Sequence, residues 1–185
     1  MKKNLIITYH PATLESSNQT KYEIKELIHA LSRLKDTLQI FTMPNADPGH
    51  KEIFEIINSY VQINKNAVSF ISLGQLNYLS CLAQVDAVVG NSSSGIIEAP
   101  SFNIGTINIG DRQKGRLRAN SVIDVEGNEE MIIKSLNKIY STDFKESLKF
   151  NKNPYGAGNA SHQILSILQS YNLNNILKKS FQDIE

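Results

Sequence analysis

The 185-residue chain has a single cysteine, no long apolar run and almost no net charge. With only Cys81, an internal disulfide is excluded. Its setting, LNYLSCLAQ, has a helical pattern, so it reads as a buried reduced thiol in keeping with a cytoplasmic compartment. No apolar stretch nears the ~20 residues that a membrane helix needs, so no membrane partner is expected. The opening MKKNLIITYHP is too short in apolar residues for a secretory signal and reads as a first strand. Nineteen Lys and Arg stand against 18 Asp and Glu, a net charge of +1. That balance removes any bulk attraction to nucleic acid. Four histidines and one cysteine show no metal-ligand spacing, so neither a metal nor another cofactor is expected.

What the chain does have is 41% hydrophobic residues, enough for one core, and a single domain over 1–185 is expected. Short apolar runs alternate with longer amphipathic ones. Strands are predicted at 4–9, 38–43, 67–72, 86–90, 105–110 and 121–125. Helices are predicted at 20–35, 50–62, 74–84, 128–141 and 143–150, with a terminal helix from 162 broken near Asn172. Asp47-Pro48 reads as an N-cap and first helical residue. SGIIEAPS reads as a short helix ending near Pro100. This alternation predicts an α/β fold, a Rossmann-like parallel sheet flanked by helices, with ligands outside the carboxyl ends of the strands.

Three motifs fall at that rim. GNSSSG follows the strand DAVVG. Gly90 permits a tight turn, while Asn91, Ser92, Ser93 and Ser94 offer an amide, hydroxyls and free N–H groups. The following helix starts near Ser94-Gly95 and aims its unsatisfied amides the same way, which suits a phosphate. A plain helix cap needs only one such serine. Glu98 lies one helical turn beyond Ser94, where an acid can hold a ribose diol, although a solvated helix residue is the simpler reading. DRQKGRLRAN (111–120) carries four cations in seven positions and cannot be an ordinary amphipathic helix. Arg112, at the strand end, could grip a diphosphate bidentately; a solvated basic loop is the alternative. His10 in YHP ends the first strand, with Pro11 restricting its direction. PYGAGNAS (154–161) either supplies backbone donors or caps the last helix through Asn159 or Ser161.

In this order and at these distances, TYHPATLE, PNADPG, GNSSSGIIEAPSF, TINIGDRQKGRLRAN, VIDV and NPYGAGNAS resemble the carboxyl-terminal domain of the hydrolysing UDP-N-acetylglucosamine 2-epimerases. One departure is Asn103-Ile104-Gly105, where the family has a Gly-x-Pro turn. The resemblance implies the second half of a B-type glycosyltransferase-like two-domain fold, with an amino-terminal catalytic domain lying outside this chain and joined to it in cis. It implies conversion of UDP-N-acetylglucosamine, or a diacetamido analogue, to the 2-epimer sugar and UDP, in sialic-acid-type biosynthesis. The full-length enzyme is then expected to be a homodimer and the 185-residue piece inactive alone. By the same resemblance Ser92 and Ser93 contact the diphosphate, with Asn91, Ser94 and Gly95 nearby. Glu98 holds the ribose, Arg112 lies by the phosphates, and His10 faces the leaving diphosphate as a catalytic acid. Uracil rests around Phe70–Tyr78. A sugar-nucleotide glycosyltransferase domain and a non-catalytic UDP-sugar-binding module are the rival readings.

Overall fold

The computed structural model describes residues 2–12, 17–174 and 176–178. The chain separates into two compact units, Met1–Tyr155 and Gly156–Glu185. The first holds six strands: β1 (Lys3–Thr8), β2 (Thr37–Thr42), β3 (Ala67–Phe70), β4 (Ala87–Gly90), β5 (Gly105–Ile109) and β6 (Val122–Val125). All neighbours pair in parallel, in the order β3-β2-β1-β4-β5-β6. The chain steps outward from β1 to β3, returns beside β1 as β4, and steps outward the other way. The reversal leaves a crevice at the carboxyl ends of β1 and β4, where α/β sheets place ligands.

Alternation along each strand decides which side chains face which helices. Leu5 and Ile7 of β1, Val89 of β4 and Ile107 of β5 join one core cluster. Covering that face are α1 (Ser17–Ser32), α2 (His50–Ile63) and α5 (Glu129–Ile139), through Ile24, Leu27, Leu31, Ile53, Ile57, Ile132 and Leu136. Ile6 and Val88 point the other way, to a smaller cluster with Leu82 of α3 (Gly74–Leu82), Val85 and Ala99. Each fully buried Leu or Ile contributes about 1.5–3 kcal/mol, so the first face carries most of the stability. A short α6 (Thr142–Leu148) is capped by Ser141, whose side chain accepts from the Phe144 N–H.

Two local expectations change. Helix α2 does not start at Asp47-Pro48. Pro48 and Gly49 instead form the centre of a type II turn, with Gly49 at φ 88° and the His50 N–H donating to the Asp47 carbonyl at 3.1 Å. Glycine at the third turn position permits the positive φ, and the helix begins after it. Pro100 does not end SGIIEAPS either. Helix α4 spans only Ser94–Ile97, and Pro100 sits in a 3₁₀ turn over Ala99–Phe102, where its missing N–H costs nothing. That turn closes on Asn103 at φ 53°, a conformation asparagine adopts at low cost; the unusual Asn103-Ile104-Gly105 is thereby accommodated.

In the second unit, α7 (Ala160–Ser170) ends before Asn172. Asn159 is its N-cap residue, at φ 61° and without a side-chain capping bond. The apolar residues Ile164, Leu165, Ile167 and Leu168 are exposed. Thr13, Leu14 and Glu15 of the TYHPATLE motif, and Phe181 of the tail, lie outside the described residues. No helix among the described residues is long and apolar enough to cross a membrane.

Candidate functional site

Asn91 is the hinge of the crevice. Gly90, at φ 133°, lets the chain leave β4 pressed against β1; a Cβ there would stand 2.0 Å from the Thr8 carbonyl oxygen. The Asn91 N–H then donates to that same carbonyl at 3.1 Å. Its side chain is buried and brackets His10. Oδ1 accepts from the His10 N–H at 2.7 Å and Nδ2 donates to the His10 carbonyl at 2.8 Å. The Asn91 carbonyl receives Arg112 Nη1 at 3.1 Å and Gln113 Nε2 at 2.8 Å. One residue therefore ties the ends of β1, β4 and β5 together.

The serines follow on the open side. Ser92, Ser93 and Ser94 are half-buried. Among the described residues, the backbone amides of Ser92 and Ser93 donate to no acceptor, whereas those of Gly95 and Ile96 are consumed by Ser92 and Ser93 carbonyls. The expectation of a helix dipole is weakened, because α4 has four residues and few peptide dipoles to align. Two free amides and the hydroxyls remain. Gly95 faces inward, not outward. A Cβ would lie 2.7 Å from Thr106 Cγ2, and Thr106 Oγ1 donates to the Gly95 carbonyl at 2.8 Å. Its lack of a side chain seats α4 on β5.

Beside these groups opens a cavity of about 520 Å³, lined by His10, Glu98, Tyr78 and Ile71 to Gln75 among others. Of the Phe70–Tyr78 expectation, Ile71 to Gln75 and Tyr78 line the cavity, whereas Phe70, Leu76 and Asn77 do not; the Phe70 carbonyl accepts from the Met43 N–H. The Tyr78 and Ser94 hydroxyls are buried near one another, and neither makes a hydrogen bond of good geometry among the described residues. Burial pushes the Tyr78 phenol pKa up.

His10 is held as a neutral ring. Burial, aided by the Arg112 charge and opposed by Asp47, lowers its pKa to about 4. Nδ1 accepts the Asn45 N–H at 3.2 Å, so the ring hydrogen is on Nε2. Sequence reasoning missed Gln113, Asn45 and Tyr78. Gln113 was hidden among cations, and the Asn45 contact uses backbone that every residue carries. Tyr78 lay inside the proposed uracil region without a role.

Known proteins show what this arrangement belongs to. Residues 1–169 match the family model described as UDP-N-acetylglucosamine 2-epimerase. The chain belongs to the UDP-N-acetylglucosamine 2-epimerase family. It is 45% identical, over 99% of its length and 47% of the relative's, to the GDP/UDP-N,N'-diacetylbacillosamine 2-epimerase (hydrolyzing) of Campylobacter jejuni. It is 36% identical to polysialic acid biosynthesis protein P7 of Escherichia coli, over 92% of this chain and 44% of that one. The chain thus spans about half the length of the curated relatives it matches. Among solved structures, the Staphylococcus aureus MnaA–UDP complex gives a TM-score of 0.72 at 15% identity, over 99% of this chain and 48% of that one. The Methanocaldococcus jannaschii UDP-GlcNAc 2-epimerase with UDP-GlcNAc and UDP gives 0.69 at 20% identity, over 90% and 45%. The family's fold is like that of B-type glycosyltransferases, and this chain corresponds to about half of it.

Proposed function

We propose that the chain is the nucleotide-binding half of a hydrolysing 2-epimerase acting on UDP-N-acetylglucosamine or a diacetamido analogue such as UDP-N,N'-diacetylbacillosamine. The observation that carries this reading is the single hub at Asn91, which gathers His10 and Arg112 at the strand ends next to two unsatisfied serine amides, with His10 also lining the cavity. The nucleoside enters that cavity, with Glu98 accepting from the ribose hydroxyls. The diphosphate takes the Ser92 and Ser93 amides and hydroxyls and the Arg112 guanidinium. Ser94 and Gly95 support this cradle from below, and Asn91 holds it together through bonds already made within the chain.

The reaction is loss of the C2 proton with anti departure of UDP, giving a 2-acetamidoglycal. Water then adds across the double bond, placing a proton on C2 from the opposite side and hydroxyl on C1. Departing UDP gathers negative charge, which fixed amides and Arg112 stabilise without reorganising. His10 donates a hydrogen bond from Nε2 to the leaving diphosphate. The bound anion opposes the burial and the Arg112 charge that keep the ring neutral, and so favours a protonated ring that can serve as general acid. The carboxylates that handle the C2 proton belong to a second domain, outside this chain. Under this reading the complete enzyme is a cytoplasmic homodimer in sialic-acid-type biosynthesis.

Calorimetry of UDP against this chain tests the binding half. Ser93→Ala removes one hydroxyl and is expected to weaken UDP about fivefold, while Arg112→Ala, a charged donor, is expected to cost about 10- to 100-fold. Unchanged affinity in both would refute the assignment. For the whole protein, incubation with UDP-N-acetylglucosamine and no acceptor should release UDP and the free 2-epimer sugar; intact substrate would instead favour a transferase.

A further inference from the structure

The loop 111–120 carries Arg112 on a surface segment with no regular structure, yet Arg112 and Gln113 both reach one carbonyl on the neighbouring strand end. Something has to hold the loop in that shape. The Arg118 guanidinium lies inside its curve. Nη2 donates to the Gln113 carbonyl at 2.8 Å and Nη1 to the Arg116 carbonyl at 2.6 Å. Nε meets the two carboxylate oxygens of Asp124 on β6 at 3.2 and 3.1 Å. Asp124 is itself held by Asn108 Nδ2 of β5 at 2.6 Å. The Arg118 side chain is 24% exposed, well covered for a cation in a surface loop.

We propose that Arg118 is a positioning residue for the diphosphate site: by clamping the Gln113 and Arg116 carbonyls to Asp124, it sets the loop curvature that delivers Arg112 to Asn91. This inference rests on the reading that Arg112 meets the diphosphate. A guanidinium can do this because its planar fork addresses several acceptors at once. Three directions of donation are used here, two to the loop and one to the sheet. A lysine ammonium has the charge but not the fork. Asp124 contributes in turn by fixing the guanidinium plane against the sheet edge. Arg118 touches no part of the nucleotide, so its effect falls on phosphate recognition and spares the base and ribose.

The test compares UDP and uridine binding to this chain by calorimetry in wild type, R112A, R118A, R118K, D124A and the R112A/R118A double variant. R118A is expected to weaken UDP about tenfold, the order seen when a charge-assisted hydrogen bond is lost, with uridine affinity within about twofold of wild type. R118K should behave as R118A does, because charge without the fork does not clamp the loop. D124A should weaken UDP by a smaller factor, about threefold, leaving the two loop contacts of Arg118 in place. In the R112A background, adding R118A should change UDP affinity less than about twofold, as coupled residues do. If R112A weakens UDP and R118A does not, the clamp is refuted and the diphosphate reading stands. If R112A itself changes nothing, both are refuted. Equal losses for uridine and UDP in R118A, or full rescue by R118K, also refute the clamp. Should R118A fail to fold, D124A, at an exposed carboxylate, decides by the same UDP-to-uridine comparison.

Discussion

The two ends of the same sheet rim are built differently. At β4–β5 every strand end is tied to the next. Gly90 presses against Thr8, Asn91 brackets His10, and Arg112 and Gln113 converge on the Asn91 carbonyl. At β2–β3 the strand ends are joined through the backbone, Met43 N–H to the Phe70 carbonyl, but the side chains around them are exposed. Val68, Phe70, Ile71 and Leu76 are exposed, Ile71 and Leu76 by about four-fifths. The smaller core cluster under α3 leaves that face thinly covered. A diphosphate needs donors fixed in advance, because reorienting dipoles costs free energy at the moment of binding. A nucleobase gains mainly from apolar contact, which tolerates a looser wall. The contrast thus matches the two parts of the proposed ligand.

Gly90→Ala should break the tight end outright. A methyl 2.0 Å from a backbone oxygen, at a φ that alanine avoids, predicts a loss above about 3 kcal/mol or no folded protein; thermal melting measures it. Asn91→Ala should come next. It strips partners from the buried His10 N–H and carbonyl, at about 1–3 kcal/mol for each unsatisfied group, and should lower UDP affinity as well as stability. If Asn91→Ala melts like wild type, the hub is not structural.

The third prediction concerns acid. The His10 pKa in the folded chain, about 4, lies below its ordinary 6.5. As pH falls, the unfolded chain takes up that proton first. The His10 contribution to stability is therefore complete above about pH 6.5 and is lost progressively toward pH 4. His10→Asn should flatten the urea-midpoint profile across that window; an unchanged slope would assign the acid sensitivity elsewhere. UDP-N-acetylglucosamine, whose diphosphate diester has no ionisation in this window, should favour the protonated ring and bind more tightly as pH falls toward 5. The smallest effect is expected at the exposed end. Leu76→Ala should shift stability by no more than about 0.5 kcal/mol. Ile71→Ala should weaken uridine and UDP alike, by less than about fivefold. A selective loss of UDP at Ile71 would erase the division between the two ends.

Much of this was legible beforehand. All six strands fall within the predicted runs or overlap them closely, because short apolar runs and the polar or turn residues that bound them are local facts. The placement of GNSSSG, His10 and Arg112 on one rim followed from strand polarity alone. The errors were local competitions. Asp47-Pro48 read as a helix start until Gly49 completed a turn, and SGIIEAPS read as one helix where a 3₁₀ turn intervenes. Asn91 read as one more donor for a ligand, yet its side-chain amide and its carbonyl serve His10, Arg112 and Gln113. The clamp at Arg118 looked like part of a charge run.

From its sequence alone this chain was determined to be an alternating α/β domain of the 2-epimerase type, with polar residues gathered at the strand ends. Only the tertiary structure decided which of them face outward. Asn91 and His10 lie 81 positions apart, and β4 returns beside β1 only through the third crossover. The lowered pKa of His10 comes from burial that many distant residues share. Periodicity is written one residue at a time, whereas hydrogen-bond partners and desolvation belong to the assembled fold.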